Sequence, residues 1–308
     1  MENPAPKALA SGIYAALATP RRKDRVEPDT AAFLDYLDEV IRAGVDGIVL
    51  FGSTGEFVHF DVVDRMQTLN LAIRRSRVPV LVNISHSTLD GAVALAEDAV
   101  DRGAAGILLM PPYFFRHTDE QLEQFYLQFA DSIDERVPIY LYNIPFFTDP
   151  ISIPLAGRLL GTGRFAGIKD SSGDRDSFQA LSQLRKLRQF QWMIGNDAMY
   201  VQGRMEGADG VVSGIAAAIP ELLVALEKAV QQQNTDRANQ LNQRLLEFVD
   251  KISKLPPTVG IKQAAVVRGW PLDHIAVPLG PAGEVELKSF RQWLEHWMPA
   301  TLKDSKDA

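Results

Sequence analysis

The chain has 308 residues, 46% of them hydrophobic and 23% charged, with 32 Lys and Arg against 39 Asp and Glu for a net charge of −7. That length fits one α/β barrel of ~250 residues or more, and the acidic balance argues against nucleic acid or an anionic membrane as partner. The absence of cysteine excludes disulfides, thiolate nucleophiles and Cys-based zinc or iron–sulfur sites, and the five histidines (His59, His86, His117, His274 and His296) include no i, i+4 pair for a helical metal site.

The Met-Glu-Asn-Pro-Ala-Pro start lacks the basic region and apolar core of a signal peptide. No apolar run approaches the ~18 residues of a membrane span, so the expectation is a soluble cytoplasmic protein. Short apolar, β-branched runs at 13–19, 47–51, 79–84, 106–110, 138–143, 165–169, 190–195 and 210–213 read as eight strands. Helical periodicity fills the gaps. Phe33, Leu34, Leu37, Val40 and Ile41 form one stripe, closed by Gly44. Leu89, Val93, Ala96 and Val100 form another before Gly103, and Phe178, Leu181, Leu184 and Leu187 a third. Near-copies at 43–50, 102–109 and 206–213 each place a helix-ending Gly ahead of a buried strand.

Eight strands alternating with helices predict a (β/α)₈ barrel. An open doubly wound sheet would need a Gly-rich phosphate turn after the first strand, which Leu17-Ala18-Thr19-Pro20 is not. Beyond 213 the pattern turns helical over 219–232, 235–252 and 284–297, with a shorter helix near 261–267. We expect a single domain over 1–308, with the barrel at about 11–213 and C-terminal helices at about 214–300 packed on it. The first ten and last six residues are expected to fray.

Barrel enzymes place their chemistry at the C-terminal strand ends, so the polar residues there matter most. Lys169 closes the apolar run Phe165-Ala166-Gly167-Ile168. Desolvation favours the neutral amine of a lysine so placed, and a neutral amine can form a Schiff base with a ketone. The structural alternative is an ion pair with Asp170 or Glu56. Gly52-Ser53-Thr54-Gly55, between strand and helix, offers N–H groups and hydroxyls to a carboxylate, or is simply a tight turn. Tyr142 at the fifth strand end is either a proton relay or a satisfied core tyrosine. The clusters Arg21-Arg22-Lys23 with Arg25, and Arg74-Arg75 with Arg77, read as solvated surface, the alternative for the first being a contribution to binding an acidic substrate at the barrel top. His86, Arg116 and His117 follow strands and have only their position to recommend them.

Three motifs together, Gly52-Ser53-Thr54-Gly55-Glu56, Tyr142-Asn143-Ile144-Pro145 and Gly167-Ile168-Lys169-Asp170-Ser171-Ser172-Gly173-Asp174, make the chain resemble the dihydrodipicolinate synthase / N-acetylneuraminate lyase family over about residues 10–300. The resemblance implies a pyruvate-type class I aldolase without metal or other cofactor, on a barrel that assembles as a dimer of dimers. It implies Lys169 as the Schiff-base residue and Tyr142 as proton relay. It implies Ser53 and Thr54 as binders of the keto-acid carboxylate, Thr54 also in the proton path, with Gly195 and Val212 lining the pocket.

The departures bear on substrate. The synthases carry a tyrosine where Phe114 stands, and an arginine for the aldehyde's carboxylate where Phe147 stands. The sialate lyases carry an acidic residue where Ala198 stands. A 2-keto-3-deoxy sugar acid aldolase or dehydratase is therefore favoured, with Phe147 at the distal end of the pocket. The alternatives are a 4-hydroxy-tetrahydrodipicolinate synthase and a non-catalytic keto-acid-binding relative.

Overall fold

The computed structural model describes residues 9–23, 25–133 and 137–306. Eight parallel strands close in chain order into a barrel. They are β1 Gly12–Ala16, β2 Gly47–Leu50, β3 Val80–Asn83, β4 Gly106–Leu109, β5 Ile139–Asn143, β6 Gly167–Asp170, β7 Gln191–Ile194 and β8 Gly210–Ser213. The connecting helices are α1 Thr30–Arg42, α2 Val62–Arg75, α3 Leu89–Asp101, α4 Asp119–Ser132, α5 Ile153–Gly161, α6 Arg175–Leu187 and α7 Tyr200–Met205. After β8 come α8 Pro220–Gln231, α9 Thr235–Ile252, α10 Val259–Val267 and α11 Pro281–Lys306. All eight expected strands are present: β8 keeps its expected bounds, β1 starts one residue earlier, β6 runs one residue further to Asp170, and the rest lose a residue at one end or both. Every strand residue is buried, which is why the strands read as continuous apolar runs rather than alternating ones.

The chain divides into two compact units. The first is Met1–Ser11 with Pro79–Val212 and holds β3 to β7 and most of β8. Its helices start on side-chain caps: Thr88 for α3, Ser152 for α5, Asp174 for α6, and for α4 a reciprocal box between Thr118 and Gln121. Leu9, expected to fray, is fastened instead: its N–H lies 3.3 Å from the Tyr140 hydroxyl and 3.2 Å from Gln191 Oε1. Residues 1–8 lie outside the described residues.

Two stripes shift from their expected faces. On α3 the buried residues are Ala92, Leu95, Ala96 and Ala99, while Leu89, Val93 and Val100 flank them half-buried. Small alanines let the helix approach the strands, so bulk is a poor guide to its inner face. On α6 Phe178 and Leu181 are buried, but Leu187 is 81% exposed. Each i+3 step falls back by about 60° on a 3.6-residue helix, so three steps carry Leu187 to roughly the opposite side.

The second unit is Gly12–Val78 with Ser213–Ala308. α1 ends as expected, with Gly44 at φ +96° just past the Ala43 cap. Tyr36 joins its buried face and donates to Ala217 O at 2.6 Å. Phe248 of α9 stacks on Trp297 of α11 at 5.4 Å, and Trp297 Nε1 donates to Glu247 at 2.9 Å. The expected fraying from 303 is absent up to Lys306: α11 runs on past Pro299, and Arg244 pairs with Asp304 at 3.0 Å. Residues 307 and 308 lie outside the described residues.

Candidate active site

Lys169 is 3% exposed at the end of β6, and Tyr142, 1% exposed, stands opposite it on β5 in the backbone register. Lys169 Nζ lies 3.9 Å from the centre of the Tyr142 ring. Among the described residues no carboxylate pairs with Lys169. Both expected competitors are engaged elsewhere. Asp170 accepts from Asn143 Nδ2 at 2.7 Å and from Ser172 Oγ at 2.7 Å. Glu56 accepts from Lys262 Nζ and from Thr258 Oγ1, each at 2.9 Å.

The position of the amine is set by the ladder. Successive residues of a strand point to opposite sides. Tyr142 and Lys169, which are register partners, therefore share one side, and Asn143 and Asp170 the other. On that other side Asn143 also accepts from the Ile151 N–H at 2.9 Å, so the β5–β6 pair is braced beside the loop that follows β5. Burial, opposed by the hydrogen bonds from Ser172 and Asn143, holds the Asp170 carboxyl above the usual carboxylate range. Sequence reasoning passed over this brace. Its only trace was that Asn143 and Asp170 directly follow Tyr142 and Lys169.

Ser171 was missed as well. Its Oγ is buried and has no hydrogen-bond partner among the described residues. Gly195, placed in the pocket by resemblance, explains the crowding. A Cβ built there would fall 2.0 Å from Ser171 Oγ and 2.9 Å from Lys169 Cε, so only glycine leaves room for both. Val212 is 1% exposed on β8, one residue beyond the Ile194–Val211 pair. Phe147 is 48% exposed and meets Phe146 edge-to-face at 4.9 Å. Phe114 and Phe115 form a second exposed edge-to-face pair at 5.0 Å.

In the second unit, Thr54 is 9% exposed and Ser53 half-buried in the turn after β2. The turn is tight. Glu56 N donates to Ser53 O at 3.0 Å, and Phe51 and Glu56 take φ +56° and +51°. A Cβ on Gly55 would sit 3.0 Å from Leu17 O. A short 3-10 helix, Phe57–His59, leads out of the turn before α2 begins.

The remaining candidates are local. His86 bonds Thr88 Oγ1 at 3.0 Å within its own loop. Arg116 pairs with Asp149 at 3.0 Å, and the His117 N–H donates to the same carboxylate at 2.7 Å, so both residues tie the β4 loop to the β5 loop. Arg22 and Arg25 lie exposed near Glu27, and Arg74, Arg75 and Arg77 are exposed as expected. Arg21 departs from that expectation: it is half-buried, with its guanidinium 5.2 Å over Phe60. Among the described residues no helix is long and apolar enough to cross a membrane.

The sequence matches the dihydrodipicolinate synthetase family over residues 9–297. It is 29% identical to a 4-hydroxy-tetrahydrodipicolinate synthase of Pelobacter propionicus, across 90% of this chain and 94% of that protein. It is also 29% identical to YagE of Escherichia coli K12, whose name proposes a 2-dehydro-3-deoxy-D-gluconate aldolase, across 94% of this chain and 98% of that one. The crystal structure of YagE in complex with pyruvate superposes with a TM-score of 0.86 at 26% identity, covering 94% of this chain and 99% of YagE. The 4-hydroxy-tetrahydrodipicolinate synthase of Methylacidiphilum fumariolicum SolV superposes at 0.85 with 25% identity, covering 96% and 99%. The eight-stranded barrel and a match spanning nearly the whole sequence together make this chain a member of the dihydrodipicolinate synthetase family, a lyase of the class I aldolase type.

Proposed function

We propose that the chain is a metal- and cofactor-independent lyase that forms a Schiff base between Lys169 and pyruvate or another 2-oxo acid. We further propose that it cleaves or dehydrates a substrate of the 2-keto-3-deoxy sugar acid type. The observation that carries this reading is Lys169 itself, 3% exposed, beside Tyr142 and without a carboxylate partner among the described residues. A lysine buried for structure is expected to be paired.

In this mechanism the Lys169 amine adds to C2 of the keto acid, and the carbonyl oxygen takes a proton and leaves as water. The iminium accepts the electron pair of the breaking C3–C4 bond while the C4 hydroxyl loses its proton and becomes the aldehyde carbonyl. Protonation of the enamine at C3 and hydrolysis release pyruvate. Tyr142, with Thr54, relays the protons. Ser53 and Thr54 bind the carboxylate through hydroxyl and N–H groups. Gly195 and Val212 line the pocket, and Phe147 stands at its distal end. In the family's usual form the enzyme is a cytoplasmic homotetramer acting on small molecules alone.

The second reading, condensation of pyruvate with an aldehyde as in 4-hydroxy-tetrahydrodipicolinate synthase, is favoured by the names of several relatives. Phe147 speaks against it, since an apolar ring cannot replace a bidentate clamp on a carboxylate. A non-catalytic keto-acid-binding relative is the third. Borohydride reduction in the presence of pyruvate, read by intact mass, tests the mechanism. The wild type should gain one adduct and Lys169→Ala none, and an adduct surviving in that variant would sink the reading. Pyruvate release or consumption across a panel of 2-keto-3-deoxy acids and aldehydes separates the three readings.

A further inference from the structure

The second unit gathers positive charge around the residues just past the Ser53–Thr54 turn. Glu56, His59 and Phe60 lie on one short segment, with the His59 N–H donating to Glu56 O at 2.9 Å. Lys262 of α10 reaches Glu56 at 2.9 Å, and Arg21, from the loop after β1, lies over Phe60. Two nitrogens here, Arg21 Nε and His59 Nδ1, are buried and have no hydrogen-bond partner among the described residues. Buried N–H groups are almost always satisfied, and an exception calls for an explanation. The charge is unbalanced too. Arg21 and Lys262 both act on His59 and on His274, against Glu56 for both imidazoles and Asp273 for His274 alone. Burial comes first and those like charges after it in holding both imidazoles below the usual histidine range. Glu56 is already committed to Lys262 and Thr258, and among the described residues no carboxylate pairs with Arg21.

We propose that Arg21 and His59, with His274 beside them, form a second binding site that takes a small oxyanion, a carboxylate or a phosphate. The oxyanion accepts from Arg21 Nε and from His59 Nδ1 in its protonated form, satisfying both buried donors through charge-assisted bonds. The site adjoins the Ser53–Thr54 turn: Thr19, two residues before Arg21, donates from its hydroxyl to Gly55 O at 2.9 Å. Because the ligand's charge offsets those of Arg21 and Lys262, binding draws protons onto His59 and His274.

The full-length protein is titrated with inorganic phosphate by calorimetry near neutral pH, in two buffers of different ionisation heat. The site gives saturable heat with proton uptake, weakened about tenfold or more in Arg21→Gln and in His59→Gln. Arg21→Lys, which keeps the charge over Phe60 but removes Nε, repeats the titration should Arg21→Gln fail to fold by circular dichroism.

Phosphate heat that is absent, or unchanged in the variants, overturns the site. The titration does not use Lys169. A protein that traps no keto acid at all therefore refutes the proposed lyase while the calorimetry still decides the anion site.

Discussion

Two lysines are buried to nearly the same degree in different parts of this molecule, Lys169 at 3% exposure and Lys262 at 1%. Lys262 meets Glu56 at 2.9 Å and is neutralised there. Lys169 meets the Tyr142 ring, and its stem passes Gly195, where a Cβ would crowd both Lys169 Cε and the Ser171 hydroxyl. Burial alone therefore does not mark a reactive amine. What separates the two is where the nearest carboxylate is spent: Asp170, the residue next to Lys169, is turned to the other side of its strand and held by Asn143 and Ser172.

The sharpest test of that contrast is to remove each amine in turn. Lys169→Ala should abolish imine trapping and lower turnover by roughly 10⁴-fold or more, the order expected when a covalent residue is deleted. Lys262→Met should still trap pyruvate. If the two variants behave alike in the trapping assay, the division into reactive and structural lysines is wrong.

Tyr142→Phe comes next. It keeps the ring beside Lys169 and removes only the hydroxyl, so turnover should fall by about 10²–10⁴-fold while the pyruvate adduct still forms. Unchanged turnover would return Tyr142 to the role of a core tyrosine.

For Lys262 the expected loss is one of stability. Stranding Glu56 by Lys262→Met should cost about 3–5 kcal/mol in urea unfolding, and Glu56→Leu with Lys262→Met should recover much of it, because the penalty comes from the unpaired charge. A double variant no more stable than the single one would show that the pair fixes structure in some other way.

The smallest effect concerns Asp170. Its carboxyl titrates above the usual range in the folded state, chiefly through burial. The folded protein therefore keeps a proton that the unfolded chain has already released. The stability this contributes is complete below the unfolded value and is lost as pH rises through the folded one. Urea melts from about pH 3 to about pH 7 should show the wild type losing stability relative to Asp170→Asn across that window. A difference flat with pH would mean that Asp170 is not perturbed by burial.

Much of this was legible beforehand for physical reasons. Strands buried on both faces must be apolar along their length, so eight of them stand out, and Lys169 is conspicuous as a charge at the end of such a run. Helix faces were less legible. Leu187 belongs to an i+3 series that drifts around the helix, and the alanines of α3 hide an inner face behind their small size. The fates of Asp170 and Glu56 were out of reach. The first depends on the β5–β6 register, and the second on a lysine 206 residues further along the chain. The basic run at 21–23 was misjudged at Arg21 alone, since position in a run of like charges says nothing about which member turns inward.

Asp149 has a consequence for how such a barrel acquires a new substrate. Its carboxylate holds Arg116 and the backbone of His117, so the loops carrying Phe114–Phe115 and Phe146–Phe147 are fastened to each other. The reactive pair is placed separately, by the ladder between β5 and β6. The two loops thus form an exchangeable cassette: grafted together from a relative they should bring its preference with them, whereas either one grafted alone leaves Asp149 or its partners unmatched.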